Sequence, residues 1–201
     1  MRYGMVIDLE RCVGCNSCTL ACRMEQGTPV GVLYHQVKKY EIGTYPSAKL
    51  RFLPMPCMQC ADPACLKVCP TGATHQEEDG LVLIDESKCI GCKYCILACP
   101  YGSRHYLGEM VNYYGGSSPT PYEEVKRPNF KKGKVVKCNF CAGRLKVGRL
   151  PACVETCPAQ ARYFGDLDDP QSEVSRLIAD CHGAPYREEM GTRPSVYYLP
   201  A

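Results

Sequence analysis

Sixteen of the seventeen cysteines in this 201-residue chain fall into four groups, and their spacing limits what the chain can fold into. The groups are Cys12, Cys15, Cys18, Cys22; Cys57, Cys60, Cys65, Cys69; Cys89, Cys92, Cys95, Cys99; and Cys138, Cys141, Cys153, Cys157. Cys181 stands apart. Groups one and three read C-x2-C-x2-C-x3-C. Group two widens the second gap to four residues and group four widens it to eleven. Proline follows the last cysteine of groups two, three and four, whereas group one has Arg23 there.

The repeat extends beyond the cysteines. Met5-Val6-Ile7-Asp8 precedes group one much as Leu83-Ile84-Asp85 precedes group three, and Val13-Gly14 matches Ile90-Gly91. Each unit reads as a short strand, a cysteine loop, a helical turn stopped by Cys-Pro, and another strand. Between the units, Val37 to Phe52 has strand character interrupted by Gly43 and Pro46. A longer insertion runs from 103 to 137. It has a loop-like stretch from Gly115 to Pro121, a basic run (Lys126, Arg127, Lys131, Lys132, Lys134) and Tyr106, Tyr113, Tyr114 and Tyr122. Asp169-Pro170 reads as a helix cap with proline at the first helical position. Val174, Leu177 and Ile178 follow at helical spacing, and Ser195 to Leu199 reads as a last strand.

The apolar content does not provide an ordinary core. There is no Trp and there are four Phe. A chain of this kind needs covalent or metal staples. Disulfides belong to oxidising compartments. Met1 to Met5 leads at once into a strand-like run, with no apolar leader or twin-arginine pair, and no apolar run approaches ~18 residues. The expectation is therefore folding in a reducing compartment, no membrane span, and cysteines that bind metal.

The spacing of groups one and three is that of bacterial ferredoxins, whose thiolates hold 4Fe-4S clusters. Three cysteines at two-residue gaps wrap one cluster, Gly14 and Gly91 permit the tight curl, and the fourth cysteine serves the neighbouring cluster. Only 19 residues, 70 to 88, separate groups two and three, so these two form one module and groups one and four form another around it. The expected ligand sets are Cys12, Cys15, Cys18 and Cys157; Cys138, Cys141, Cys153 and Cys22; Cys57, Cys60, Cys65 and Cys99; and Cys89, Cys92, Cys95 and Cys69. Four oxidised sites, each of net charge about −2, turn the formal +3 into about −5, so the basicity of the apo-chain does not argue for nucleic acid.

The competing reading is structural zinc, since paired C-x2-C groups also build four-cysteine zinc sites. Zinc does not need the third cysteine two residues on, or Cys-Pro repeated in register. His35, His75, His105 and His182 show no ligand spacing and are read as surface residues or supports behind the ligands. Cys181 is read as a free thiol. Lys137, Arg144 and Lys146 flank group four as candidate donors to cluster sulfur. No phosphate-binding loop, dinucleotide fingerprint or nucleophile–base pair is visible, so the chain is read as non-catalytic by itself.

The order of the groups, the wide fourth gap (Cys141-Ala142-Gly143-Arg144-Leu145 to Pro151-Ala152-Cys153-Val154-Glu155-Thr156-Cys157-Pro158) and the following Phe164-Gly165-Asp166-Leu167-Asp168-Asp169-Pro170 closely resemble the iron–sulfur subunits of molybdopterin oxidoreductases of the DMSO, polysulfide, thiosulfate, tetrathionate and respiratory arsenate reductase type. The resemblance runs from Tyr3 to about Tyr198. All sixteen positions are cysteine, which implies four 4Fe-4S clusters. It implies an α+β fold of two ferredoxin-like two-cluster modules, one inserted within the other, with loop insertions and a C-terminal helical tail. The parts are 1–52 (first outer part), 53–102 (inserted module), 103–137 (insertion), 138–165 (second outer part) and 166–201 (tail).

The resemblance further implies an electron relay between a quinone-reactive membrane-anchor subunit and a molybdopterin catalytic subunit. The working place would be the outer face of the cytoplasmic membrane, reached with the partner. The alternatives are a cytoplasmic subunit of a hydrogenase or formate dehydrogenase, and a zinc module. The tyrosine-rich insertion and the tail are the expected partner contacts. The features after group three lean toward sulfur and arsenic oxyanions as terminal substrates.

Overall fold

The computed structural model describes residues 1–115 and 118–200. In chain order the elements are β1 (Tyr3–Asp8), α1 (Ser17–Gln26), β2 (Gln36–Ile42), β3 (Lys49–Met55), α2 (Ala64–Lys67), β4 (Thr74–Gln76), β5 (Val82–Ile84), α3 (Tyr94–Leu97) and β6 (Arg104–Tyr106). Then follow α4 (Pro121–Lys126), β7 (Val135–Lys137), α5 (Ala142–Leu145), α6 (Ala152–Glu155), β8 (Arg162–Asp166), α7 (Glu173–Asp180), β9 (Ala184–Pro185) and β10 (Val196–Leu199). This is an α+β chain of short elements.

The residue after each last cysteine decides helix length. In groups two, three and four, α2, α3 and α6 are four residues long and stop short of Cys-Pro, because proline lacks the N–H and clashes with the preceding turn. Arg23 imposes no such stop. Thus α1 runs ten residues and ends at Gly27, whose φ of 70° lets its N–H reach the Arg23 carbonyl. The wide gap of group four is filled by α5.

A four-stranded sheet of order β8-β1-β10-β9 closes the molecule. β1 runs antiparallel to β8 and parallel to β10, with Met5 opposite Phe164 on one side and Val196 on the other. Strand alternation sorts the side chains. Met5, Ile7, Val196 and Tyr198 pack toward Met58, Phe140, Cys18 and Cys153. Val6 and Leu199 face the other way and pack with Val174 of α7. Met5, Val6 and Ile7 are wholly buried, each contributing roughly 1.5–3 kcal/mol.

Two-stranded ladders β2-β3, β4-β5 and β6-β7 complete the strands. The segment Val37 to Phe52 is thus the hairpin β2-β3. The 103–137 stretch begins and ends in paired strands, so its irregular part is confined to 107–134.

Several sequence expectations change here. Asp169-Pro170 does not cap α7. Asp169 Oδ1 accepts from the Gln171 N–H in a local turn, and the cap is Ser172, whose Oγ accepts from Ser175 N at 3.2 Å. The tail is part of the fold, since α7 covers the sheet and β10 lies inside it. Within the loop-like stretch, Thr120 and Glu123 form a reciprocal capping box that starts α4 with Pro121 at its first position. Gly116 and Ser117 of that stretch lie outside the described residues. Two of the four tyrosines named in the insertion turn inward. Tyr122 donates to the Arg23 and Met24 carbonyls and Tyr113 to the Thr28 carbonyl, which satisfies the C-terminal end of α1. Tyr106 and Tyr114 remain exposed.

Candidate iron–sulfur centres

The same backbone device recurs in all four cysteine loops. The residue before the second cysteine has positive φ each time: Gly14 at 66°, Gln59 at 43°, Gly91 at 71° and Phe140 at 51°. Two are glycines and two are not. A Cβ on Gly14 would meet the Phe52 ring at 2.2 Å, and one on Gly91 would meet the Gly133 carbonyl oxygen at 2.1 Å. Gln59 and Phe140 tolerate the strained conformation because their side chains are almost wholly buried and held.

This curl gathers the cysteines into quartets that mix groups. Cys12, Cys15 and Cys18 line one cavity together with Cys157 from the far end of the chain. Cys89, Cys92 and Cys95 line another with Cys69. Cys22 lies among Cys138, Cys153 and Cys141; burial first, and then those three neighbours, push its thiol far up. Cys60 lies with Cys57, Cys65 and Cys99; burial first, and then these neighbours, raise it to about 12. Four sulfurs so placed cannot share negative charge unless a cation sits among them.

Helix packing explains the mixing. α1, which carries Cys18 and Cys22, lies against α6, which carries Cys153. α2 with Cys65 lies against α3 with Cys95. Backbone donors already point at sulfur: Thr74 N at Cys69 Sγ and Ala161 N at Cys157 Sγ, both 3.4 Å. Gln26 Nε2 reaches Cys141 Sγ at 3.5 Å.

The quartets stand in a line. Cys18 of the first feels the charge of Cys153 of the second. Cys138 of the second feels Cys57 of the third, and the Gln59 side chain bonds the Cys138 carbonyl across that joint. Arg104 touches both Cys65 of the third and Cys95 of the fourth. Among the described residues, the exposed cysteines are Cys15 at one end, Cys92 at the other, and Cys181.

The donor set fits cubane clusters. Each quartet offers four soft thiolates. Among the described residues, no three His, Cys, Asp or Glu side chains converge on a point suited to a single metal ion. A quartet ringed around a shared space suits a four-iron core better than zinc, which needs sulfur at about 2.3 Å from one centre.

The 4Fe-4S dicluster domain models match residues 6–73 in one version, and 48–114 and 109–167 in another. The chain belongs to the 4Fe-4S dicluster family. The B subunit of the selenate reductase of Mesobacillus selenatarsenatis is 48% identical over 212 residues, covering 99% of this chain and 72% of that one. The arsenate respiratory reductase iron-sulfur subunit ArrB of Shewanella sp. (strain ANA-3) is 42% identical, covering 99% and 96%. The B subunit of the tetrathionate reductase of Salmonella typhimurium is 39% identical, covering 98% and 72%. This dicluster protein is an iron–sulfur electron-transfer subunit with four 4Fe-4S clusters, and it is not a catalyst by itself.

Other residues singled out in the sequence of this dicluster chain take different places. Lys137 is buried, but its Nζ donates to the Cys138 carbonyl at 2.7 Å, not to sulfur. Arg144 joins Glu25 and Glu155 in ion pairs. Lys146 is exposed. His35 is buried between Thr19 Oγ1 and Arg162, a support behind the ligands as the second of the two readings has it. His75 bonds Glu77, His105 stacks on Tyr34, and His182 is exposed. Two residues escaped the sequence reading altogether: Arg104 and Arg162. Each stands five positions after the cysteine of a Cys-Pro pair, so the repeat itself carried the signal.

Proposed function

We propose that the sixteen cysteines ligate the four clusters in the four mixed quartets, and that electrons pass along them in a single file. In order, the file is Cys12/15/18/157, Cys138/141/153/22, Cys57/60/65/99 and Cys89/92/95/69. The observation that carries this reading is the line of quartets with one exposed cysteine at each end. Each outer quartet has one exposed cysteine and the inner two have none, which suits a relay between two partners. Exposed Val13 flanks Cys15, while exposed Ile90, Tyr94 and Leu97 flank Cys92, offering an apolar contact at each end.

The nested organisation follows the same logic. β1 and β8 pair around the outer module, while the β4-β5 hairpin lies within the inner one. The module of groups two and three is inserted in the module of groups one and four.

The relatives support a catalytic partner. One end meets a molybdopterin catalytic subunit that reduces a selenium, arsenic or sulfur oxyanion, in keeping with the selenate, arsenate and tetrathionate reductases among them. The other end meets a quinone-reactive membrane-anchor subunit. Among the described residues no helix is long and apolar enough to cross a membrane. In this reading the membrane span comes from that partner. The complex works at the outer face of the cytoplasmic membrane, reached together with the catalytic subunit.

Iron and acid-labile sulfide per chain test this, together with EPR of the dithionite-reduced protein purified anaerobically. The reading expects about sixteen of each and a spin-coupled signal. Alanine at Cys22 should remove the cluster of Cys138, Cys141 and Cys153, not that of Cys12, Cys15 and Cys18. Loss of the latter instead would overturn the mixed quartets.

A further inference from the structure

Each module buries one arginine between its two quartets, at the same place in the repeat. Arg104 is the first residue of β6 and Arg162 the first of β8. They are 4% and 5% exposed. Arg104 donates to Cys65 Sγ at 2.9 Å and Thr74 Oγ1 at 3.0 Å, and also bonds Cys95. Cys65 and Cys95 belong to different quartets. Arg162 donates toward Cys153 Sγ at 3.6 Å and lines the cavity of Cys12, Cys15, Cys18 and Cys157, so it too stands between two quartets. Its other nitrogen is held by His35 Nε2. Among the described residues neither arginine has a carboxylate partner within ion-pair distance.

A buried guanidinium without a carboxylate is costly unless other negative charge faces it. Here the facing groups are the cysteine sulfurs of two neighbouring quartets. A cluster gains one negative charge on reduction, so a fixed cation and an N–H aimed at sulfur favour its reduced form.

We propose that Arg104 and Arg162 are equivalent positioning residues, each holding one positive charge between the two clusters of its module and raising the reduction potential of both. Arg104 serves the two clusters of the inner module and Arg162 the two of the outer one. This rests on the ligand sets proposed above. It departs from the flanking lysines and Arg144, whose side chains bond elsewhere.

The experiment uses the full cluster-loaded chain in its complex, with Arg104→Gln, Arg104→Lys, Arg162→Gln and Arg162→Lys, in EPR-monitored redox titrations beside iron counts. Arg104→Gln should keep full iron and make the inner pair harder to reduce by about tenfold in equilibrium constant, about 59 mV for one electron, leaving the outer pair in place. Arg162→Gln should do the converse, and each lysine variant should recover most of the shift. Full iron with unmoved potentials, or an equal shift in all four clusters, overturns the proposal. If a glutamine variant loses iron, pulsed EPR on wild-type protein labelled with 15N-arginine decides. A nitrogen coupling at the reduced clusters is expected, and its absence overturns the proposal. Wild-type protein short of four clusters would instead sink the ligand sets, a distinct result.

Discussion

Gln59 donates its Nε2–H to the Cys138 carbonyl at 3.0 Å, while its Oε1 accepts from Val82 N at 2.7 Å. One side chain, 1% exposed, thus bridges the two modules at the joint between the second and third quartets. Gln59→Leu would leave the buried Val82 N–H without its side-chain acceptor, at roughly 1–3 kcal/mol, and the Cys138 carbonyl with Lys137 Nζ as its remaining donor. The expected outcome is a clear loss of stability by anaerobic denaturation followed at the cluster absorbance. Retained stability would mean that the joint is held by packing alone.

Gly91 is the less replaceable of the two loop glycines. A methyl group there strikes backbone, the Gly133 carbonyl, whereas at Gly14 it strikes the Phe52 ring, which can move. Both positions also require positive φ. Gly91→Ala should lower iron from about sixteen toward about twelve per chain. Gly14→Ala should lose less and be partly rescued by Phe52→Ala. Equal loss in both, without rescue, would contradict the steric account.

Caps offer a test of where α7 begins. Ser172→Ala removes the side-chain acceptor for Ser175 N and should cost about 1 kcal/mol in unfolding free energy. Asp169→Ala disturbs only a turn outside the helix and should cost a few tenths of that. The reverse ranking in denaturant midpoints would return the cap to Asp169.

His35 is held neutral. Burial, and then the Arg162 charge, depress its pKa well below 6.5. Arg162 donates to Nε2, which must therefore be unprotonated, leaving Nδ1–H to donate to Thr19 Oγ1. The unfolded chain takes up a proton as pH falls through about 6.5, and the folded chain does not. Folding stability is therefore intact above that pH and falls below it. His35→Gln keeps an acceptor for Arg162 and should flatten this acid arm between pH 7 and 5.5. An unchanged slope in anaerobic unfolding would assign the pH dependence to other groups.

The exposed apolar residues at the two ends should matter to partners and not to clusters. Val13→Glu and Leu97→Glu should leave iron, sulfide and EPR spectra as in wild type. Each should slow electron transfer at its own end by about tenfold or more, as expected when a charge enters an apolar contact. Stopped-flow reduction and reoxidation of the complex separates the ends. Loss of clusters in either variant would assign these side chains to the loop fold.

Much of the site was legible because a cluster loop is a local object. Two-residue gaps, a tight curl before the second cysteine and Cys-Pro after the fourth act within a dozen residues, so the four groups, the strand–loop–helix repeat and β1, β10 and the α7 face read directly from the chain. Local signals also misled. Asp169-Pro170 satisfies the capping pattern, but Ser172 lies closer to the free N–H groups. The capping box at Thr120 and Glu123 was present in the sequence and lay hidden in a glycine-rich run.

By itself, then, the sequence determined which residues can hold metal, how each loop curls and where each short helix stops, since these depend on steric and ligand rules acting over a few residues. Only the tertiary structure decided the order of the quartets, the burial of the tail beneath and within the sheet, and the burial of one arginine between the two quartets of each module. Those outcomes join residues far apart in the chain: Cys157 with Cys12, Arg162 with His35, Gln59 with Cys138. Burial and unpaired charge settle them, and neither is defined until the whole chain has packed.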